Sequence, residues 1–313
     1  MKWNVAMKVK DYARNWSNQY INTDYRDVSI VVEIRDRQCF ISLEGDGDIE
    51  NVFYLVWELL FLYDGYFYKI QKWNVDGIQK DVQGLYRLPL YTTNKKWMAS
   101  ELLGRSCRDL SHDIINKYDV FRNTGMADEK MTKVVVNSFY YLHSEAYEKI
   151  NADHLLSLLL NVADGFVINT YKDTNDMKAN LDRIFKKTIS LEKLQYGISL
   201  LGMNGELYKY NLAQERIMFD HYAYKEDSVA TFIYNSKERK ADFIKWYFIY
   251  IMELVLRINF LKEIGVNVNQ EVMDYALESI NDWIIYENDM DVECTTPHYQ
   301  MKQSLKKAGI VMR

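Results

Sequence analysis

The stretch VSIVVEIRDRQCFISLEGDGDIENVFYLVWELLFLY, residues 28–63, decides the fold class because a strand pattern gives way to a helix pattern within it. Val28–Ile34 and Cys39–Leu43 are rich in β-branched and aromatic residues and flank a short polar segment, which predicts a β-hairpin. Val52–Tyr63 is a longer apolar run and predicts one helix. The first part of the chain is therefore expected to combine strands with a helix.

A second hairpin is predicted after this helix. Tyr66–Val75 and Ile78–Leu85 have the composition of strands. Asp76-Gly77 between them is a turn signal, because a tight hairpin turn needs positive φ at its central residues. Residues 1–98 therefore predict an α+β, β-rich domain, for which we expect a sensing or regulatory role.

From residue 99 onward, helical spacing replaces the strand pattern. Asp153 is a candidate N-cap before an apolar run, and Gly265 stands where the longest helix should end. An all-α bundle is predicted over residues 99–292, followed by a short basic tail over 293–313, so the chain is expected to be predominantly α. The predicted helices are Asp109–Val120, Met131–Lys149, Asp153–Thr170, Met177–Lys187, Leu191–Leu201, Gly205–Asp220, Lys237–Ile264 and Gln270–Tyr286.

Composition argues against several classes of protein. The formal net charge of −5 argues against a general nucleic-acid coat, which is normally basic, but it leaves room for a local basic cleft. The three cysteines are far apart and odd in number, so we expect free thiols in a reducing cytosol. The chain starts without the apolar core of a signal peptide, and its longest apolar runs are too short to span a bilayer. A soluble, cytoplasmic protein without membrane contact is expected.

No metal centre or cofactor is predicted. The stretch EGDGD at 44–48 superficially resembles a calcium loop, but it lacks the third ligand, the central glycine and the twelfth-position Glu of that loop. It is interpreted as a turn. None of the five histidines pairs with another His or Cys at a metal-ligand spacing, and the sequence contains no glycine-rich phosphate loop.

The stretch QERIMFDHYAYKED, residues 214–227, contains the candidate catalytic residues. Four residues separate Arg216 from His221 at the predicted end of a helix. An Arg–His pair has the chemistry to cleave RNA without a metal, when the 2′-OH of the RNA attacks the adjacent phosphate. Histidine titrates near neutral pH and suits the proton transfers. Arginine stays charged and offers a planar fork for the oxygens of the pentacovalent phosphorus.

One histidine cannot easily act as base and acid on opposite sides of phosphorus. A two-fold dimer would bring a second Arg–His pair to the same cleft, so this mechanism predicts a homodimer. Two other interpretations stay open. Arg216 and Asp220 have the spacing of a surface helical ion pair, with His221 favoured at the helix end by the dipole. Arg105 and His112 form a second Arg–His pair, with six residues between them.

The segment RIMFDHY, placed before a long amphipathic helix, resembles the HEPN superfamily, and specifically the HEPN domains of ApeA-like anti-phage and abortive-infection proteins. The resemblance covers about residues 153–286. It implies a metal-independent ribonuclease of a defence or toxin system, with tRNA as a frequent substrate and with Arg and His meeting across a homodimer interface. It assigns the family's arginine to Arg216 and its histidine to His221. Ile217 departs from the family, which often has a polar residue, commonly Asn, at this position.

Neighbouring residues are candidates for supporting roles. Asp220 is expected to orient or tune His221. Tyr222 and Tyr224 are expected to stack on a base or to bind phosphate, although packing is the ordinary role of such tyrosines. Lys225 is expected to contribute to a phosphate track, although a solvated face explains it equally well. Expected partners are RNA, a second copy of the chain, and a phage-derived trigger or an antitoxin.

An alternative function needs no catalysis. The helical half would then be an interaction or ligand-sensing module in a defence or regulatory complex, which the acidic net charge and Ile217 favour. A third alternative is a toxin that a partner silences by covering the site, with Tyr222 and Tyr224 as the places where such a partner would modify it.

Overall fold

A computed structural model describes residues 1–8, 18–35, 38–64, 68–85, 106–125, 152–171, 176–209, 212–213 and 238–287. The chain forms two compact units. The first comprises Met1–Ile150 and Asn259–Val268, and the second comprises Asn151–Ile258 and Asn269–Arg313. A sheet with helices in the first unit and helices in the second make the fold α+β.

The first unit contains a six-stranded antiparallel sheet with the strand order β2-β3-β4-β1-β5-β6. The predicted hairpin of residues 28–43 is confirmed as β3 and β4, and two earlier strands that the pattern did not predict flank it. The strands are β1 (Lys2–Lys8), β2 (Gln19–Tyr25), β3 (Val28–Arg35), β4 (Gln38–Gly45), β5 (Lys69–Val75) and β6 (Ile78–Lys80).

Strict alternation of side chains gives the central strands one buried and one open face. In β1, Trp3, Val5 and Met7 are buried, and the residues between them are not. The same period of two holds along β3 and β4, as expected when one face of an antiparallel sheet packs on a core. The buried face of the sheet packs against the helix that follows β4, where Trp3 contacts Phe53.

This helix, α1, spans Ile49–Asp64 and confirms the predicted helix at residues 52–63. The side chain of Asp48 accepts a hydrogen bond from the backbone N–H of Asn51 at 3.0 Å and so caps the first turn. Within the stretch at 44–48, Glu44 and Gly45 therefore end β4, and residues 46–48 connect it to α1. Nearly all of α1 is buried, which explains its apolar composition on every side.

The second hairpin is shorter than the sequence predicts. β5 begins at Lys69, and its partner β6 ends at Lys80 instead of continuing to Leu85. The carboxylate and carbonyl of Asp81 accept the N–H groups of Gln83 and Gly84, and this closes a 3-10 turn in place of the ladder. Local hydrogen bonding by Asp competes in this way with strand pairing.

The helix α2 spans His112–Val120 in the first unit and continues as a π-helical turn, Phe121–Gly125. Every element described between residues 152 and 287 is a helix or a 3-10 turn. These helices are α3 (Ala152–Tyr171), α4 (Met177–Lys186), α5 (Leu191–Leu200), α6 (Glu238–Glu263) and α7 (Gln270–Glu287).

The helix ends follow capping chemistry, with one correction. The side chains of Asp176 and Ser190 cap α4 and α5. α3 already begins at Ala152, so Asp153 lies inside its first turn and does not precede it. α6 ends as predicted before Gly265, which has a φ of +87°. The N–H groups of Gly265 and Val266 bond to the carbonyls of Lys262 and Leu261, which is a Schellman motif.

Other sequence predictions differ from the structure or lie outside it. The predicted helix at 205–220 starts as a 3-10 turn, Gly205–Leu207, and most of its remainder lies outside the described residues. The predicted helix at 131–149 and the tail at 293–313 also lie outside them. Residues 251–261 of α6 are buried without a break, so this part of the helix is enclosed and not amphipathic. None of the helices in the described ranges is long and apolar enough to cross a lipid bilayer.

Candidate functional site

The predicted site residues fall in residues 214–237, which lie outside the described residues. They are Arg216, Asp220, His221, Tyr222, Tyr224 and Lys225. The structure describes the chain on both sides of this segment, up to Ala213 and again from Glu238. The flanking elements therefore define what holds the two ends of the segment.

The polypeptide leading into the segment is anchored on Asp182 of α4. The hydroxyl of Tyr208 and the ammonium of Lys209 donate to its Oδ1 at 3.1 and 3.3 Å. Lys186 approaches Oδ2 at 2.6 Å. Burial alone would raise the pKa of Asp182, but these three hydrogen bonds outweigh burial and lower it. Asp182 thus remains a charged anchor, and Leu212 and Ala213 beyond it are buried.

A buried hydrogen-bond node fixes α6, which follows the segment. The hydroxyl of Tyr247 donates to Oδ1 of Asn281 on α7 at 3.1 Å, and the Asn281 amide donates to the carbonyl of Lys193 at 2.9 Å. Gly197 of α5 makes room for this node, because a Cβ there would lie 2.1 Å from Asn281 Oδ1 and 2.2 Å from the Tyr247 hydroxyl. The node joins α5, α6 and α7, so α6 is held against two other helices at Tyr247.

Further along α6, two charged side chains are enclosed in the second unit. Glu253 and Arg257 are one helical turn apart, with 3.8 Å between Oε1 and Nη1, and the side chains are 0% and 1% exposed. Each buried charge is stabilised by the opposite charge of its neighbour, and removing that neighbour leaves a desolvated charge with less compensation. The pair makes the fold of α6 sensitive to substitution at either position.

The second Arg–His pair of the sequence is only partly described. Arg105 lies outside the described residues, and His112 is the first residue of α2. The Nδ1 atom of His112 lies 2.9 Å from the carbonyl of Asp24, and the imidazole ring packs edge-on against Tyr25. These contacts give His112 a role in holding α2 beside β2.

A cluster of polar side chains surrounds the buried carboxylate of Asp119 on α2. The Tyr25 hydroxyl, the Arg26 guanidinium and the Asn123 amide approach it at 2.8, 2.7 and 2.8 Å. The π-helical turn after α2 brings Asn123 back over Asp119. Since three donors occupy this carboxylate and its side chain is 1% exposed, it has no access to a substrate. Its role is to hold α2 on the sheet.

Replacing Tyr25 by Phe is expected to destabilise the first unit by about 1–3 kcal/mol, because it removes a donor from a buried carboxylate. Burial first, and then the hydrogen bond to Asp119, raise the pKa of the Tyr25 hydroxyl to about 12. Its contribution to stability is therefore complete below its unfolded pKa, about 10, and is lost as the pH rises through about 12.

Urea unfolding of the wild type and Tyr25→Phe across this alkaline range measures the effect, and the difference between them should shrink as the pH rises. Tyr20→Phe is the matched control, since Tyr20 is 68% exposed and its variant should unfold like the wild type. A stability difference that stays constant across the range would contradict the assignment.

A second buried ion pair lies at the end of α1, where Asp64 is the last residue of the helix. Arg108 contacts the carboxylate of Asp64 and the side chain of Gln19, and the Tyr68 hydroxyl donates to Asp64 at 2.9 Å. Burial raises the pKa of the Cys39 thiol well above its usual range, and the nearby Asp64 adds to this effect. The thiol is therefore unreactive, and the cluster is a packed part of the core.

Metal binding and similarity to known proteins add no further candidate. Among the residues that the structure describes, no group of three or more His, Cys, Asp or Glu side chains is placed to hold a metal ion. The chain matches no protein-family model, no curated protein and no solved structure. The HEPN interpretation therefore depends on Arg216, His221 and the helix that follows them, and it stays a prediction.

Proposed function

We propose that the protein is a metal-independent endoribonuclease of the HEPN type that acts in anti-phage defence or as a toxin. The observation that carries the proposal is the spacing of Arg216 and His221, in a segment followed by the long helix α6. The anchor at Asp182 and the node at Tyr247 support it, because they fix the chain before and after the segment, and an acid–base site is best built on rigid elements. In the proposal, residues 153–286 form the HEPN-like bundle.

In the proposed reaction, the 2′-OH of RNA attacks the neighbouring phosphorus. His221 takes the proton of the attacking hydroxyl or gives one to the leaving 5′-oxygen. Arg216 binds the non-bridging oxygens and stabilises their negative charge in the transition state. The P–O bond to the 5′-oxygen breaks, which leaves a 2′,3′-cyclic phosphate on one product and a 5′-OH on the other.

The two proton transfers call for two histidines, so the proposed active form is a homodimer with His221 from each copy at one cleft. Asp220 would orient His221, and Tyr222, Tyr224 and Lys225 would contact RNA. The proposed substrate is tRNA in the cytoplasm. A phage-derived trigger or an antitoxin would control the cut.

A second candidate function is a helical module that binds a partner without catalysis. Ile217 favours it, because an apolar residue beside Arg216 does not help to position a guanidinium on phosphate. In this alternative Arg216 pairs only with Asp220, and neither residue needs a second copy of the chain.

Cleavage of total tRNA in EDTA by the purified full chain tests the proposal. We expect discrete fragments with 2′,3′-cyclic phosphate and 5′-OH ends, and a particle of twice the chain mass by light scattering. The assay is repeated with phage-infected cell extract as a source of the trigger. Intact tRNA under both conditions would favour the binding module, and fragments that form only with added Mg²⁺ would contradict the mechanism.

A further inference from the structure

The outer face of the sheet, which we define as the face that points away from α1, presents four rows of side chains across its strands. The strand registers place these rows, and the pairing of β1 with β5 shifts once, between Ala6 and Met7. The row at one end contains Asp24, Ser29, Glu44 and Lys2, and so carries two carboxylates and one lysine. The other three rows are named here. The basic row contains Arg35, Gln38, Lys8 and Lys69, and the aromatic row contains Tyr20, Glu33, Phe40, Ala6 and Lys72. The amide row contains Asn22, Val31, Ser42, Asn4, Asn74 and Gln79.

Positive charge is concentrated at the other end of this face. Lys8 stands directly opposite Lys69, and all members of the basic row are exposed. Like charges in a direct cross-strand pair are destabilising. Lys72 in the aromatic row adds a further cation. The basic and aromatic rows contain one carboxylate, that of Glu33, which pairs with Arg35 at 3.3 Å. In a chain of net charge −5, this arrangement indicates a local site for anions.

Flat aromatic rings lie beside the basic row. The side chain of Tyr20 is 68% exposed, and Phe40 is partly exposed two strands away. The Arg35 guanidinium lies 5.2 Å from the centre of the Phe40 ring. Rings of this kind on an open sheet are platforms on which unpaired bases stack, and a neighbouring arginine adds cation–π attraction.

The amide row supplies hydrogen-bonding groups next to these rings. The Ser42 hydroxyl donates to Oδ1 of Asn4 at 3.0 Å, which leaves the amide of Asn4 oriented by a neighbour on the sheet. Side-chain amides and hydroxyls form hydrogen bonds with the edges of bases that are not paired. An acidic peptide would use only the cations of this face, whereas a single strand of RNA would use all three named rows.

We propose that the outer face of the sheet binds single-stranded RNA. The basic row contacts phosphates, Tyr20 and Phe40 stack on bases, and the amide row contacts base edges. This site belongs to the first unit and is independent of cleavage by Arg216 and His221, so it goes beyond the proposed function. It gives the sheet an RNA-sensing role whether or not the second unit is catalytic.

Binding is measured with the full chain carrying His221→Ala, so that cleavage cannot consume the RNA. The probe is a fluorescein-labelled single strand of about twelve nucleotides, within the site sizes known for such platforms, and fluorescence anisotropy is recorded over a range of salt. The test is a double variant of the outer face, Lys69→Gln/Lys72→Gln. It is compared with a control double variant, Lys80→Gln/Lys117→Gln. The control pair removes the same charge, with Lys80 opposite Trp73 on the other side of the sheet and Lys117 on α2.

We expect Lys69→Gln/Lys72→Gln to weaken binding about tenfold and to lower the slope of log Kd against log salt by about 1.4, since each single-strand phosphate contact contributes about 0.7. The control pair should bind like the parent. Tyr20→Thr should weaken binding about tenfold through loss of stacking. Its control, Ile78→Thr, replaces another exposed apolar residue, 63% exposed, and should have no effect.

Four results would overturn the proposal. They are no binding of single-stranded RNA at low salt, equal weakening by both lysine pairs, equal affinity for single-stranded and duplex RNA, and equal affinity for polyglutamate. The last would assign the face to an acidic protein. Thermal unfolding of every variant shows that the fold is retained, and tRNA cleavage by the parent chain with His221 intact is scored separately.

Discussion

His221→Ala should lower the rate of tRNA cleavage by about 10²–10⁴-fold, which is the usual contribution of a positioned general acid or base. The imidazole is the group of the proposed site that exchanges a proton near neutral pH. Arg216→Ala should cost about 10²–10³-fold through loss of charge stabilisation. Arg216→Lys should recover only part of this loss, because a lysine cannot bind two phosphate oxygens in the planar way of a guanidinium.

The matched control for this prediction is His112→Ala. His112 lies in the first unit, where its Nδ1 atom is 2.9 Å from the carbonyl oxygen of Asp24. Removing the His112 imidazole should therefore leave the cleavage rate unchanged. Rates are measured on end-labelled tRNA with far-ultraviolet spectra of each variant. Full cleavage by both Arg216→Ala and His221→Ala would remove these residues from the mechanism, and loss of cleavage in His112→Ala would move the site to Arg105 and His112.

Arg257→Ala should destabilise the second unit by about 3–5 kcal/mol, because it removes a charged partner from the buried carboxylate of Glu253. Replacing both residues, as Glu253→Met/Arg257→Met, should cost less than Arg257→Ala alone, since the double variant leaves neither of these two charges in the core. Chemical denaturation followed by tryptophan fluorescence gives the free energies of unfolding.

Lys186→Ala is the control for the buried pair. Asp182 and Lys186 have the same i,i+4 spacing in the same unit, but the lysine side chain is 58% exposed. Its removal should cost about 0.3–0.5 kcal/mol, as is usual for an exposed helical pair. If Arg257→Ala cost no more than Lys186→Ala, the ion pair in α6 would have no role in stability.

Local sequence patterns predicted the elements that carry their own signals. The β-branched composition of residues 28–43 gave the hairpin, and the apolar run from Val52 gave α1. β1 alternates as clearly as β3, with Trp3, Val5 and Met7 buried, so its own pattern is sufficient to predict this strand. β2 gave no clear signal, because the positions that alternate with its exposed residues are Gln19, Ile21, Thr23 and Tyr25, and two of these four, Gln19 and Thr23, are polar.

The long-range contacts of the fold could not be predicted from local sequence. Tyr25 and Asp119 are 94 residues apart, and Tyr247 meets Asn281 across 34 residues. Such pairs depend on how the elements pack, and neither the spacing of residues nor their composition encodes this. The spacing of Arg216 and His221 is a local signal, so these two residues can be proposed from sequence alone, and they stay a prediction.

The central position of β1 has a consequence for how the first unit is made. Among the described strands, β1 alone joins the β2–β3–β4 meander to the β5–β6 hairpin. Its seven residues are synthesised before the other described strands, but the ladder with β5 cannot be completed until residue 75 has been made. Until then the edge of β1 that pairs with β5 stays open, although β4 can already pair with the other edge. An open strand edge can pair with a second nascent chain. Strand exchange between copies is therefore the misassembly to which this sheet is most exposed, and slow dilution should suppress it during refolding.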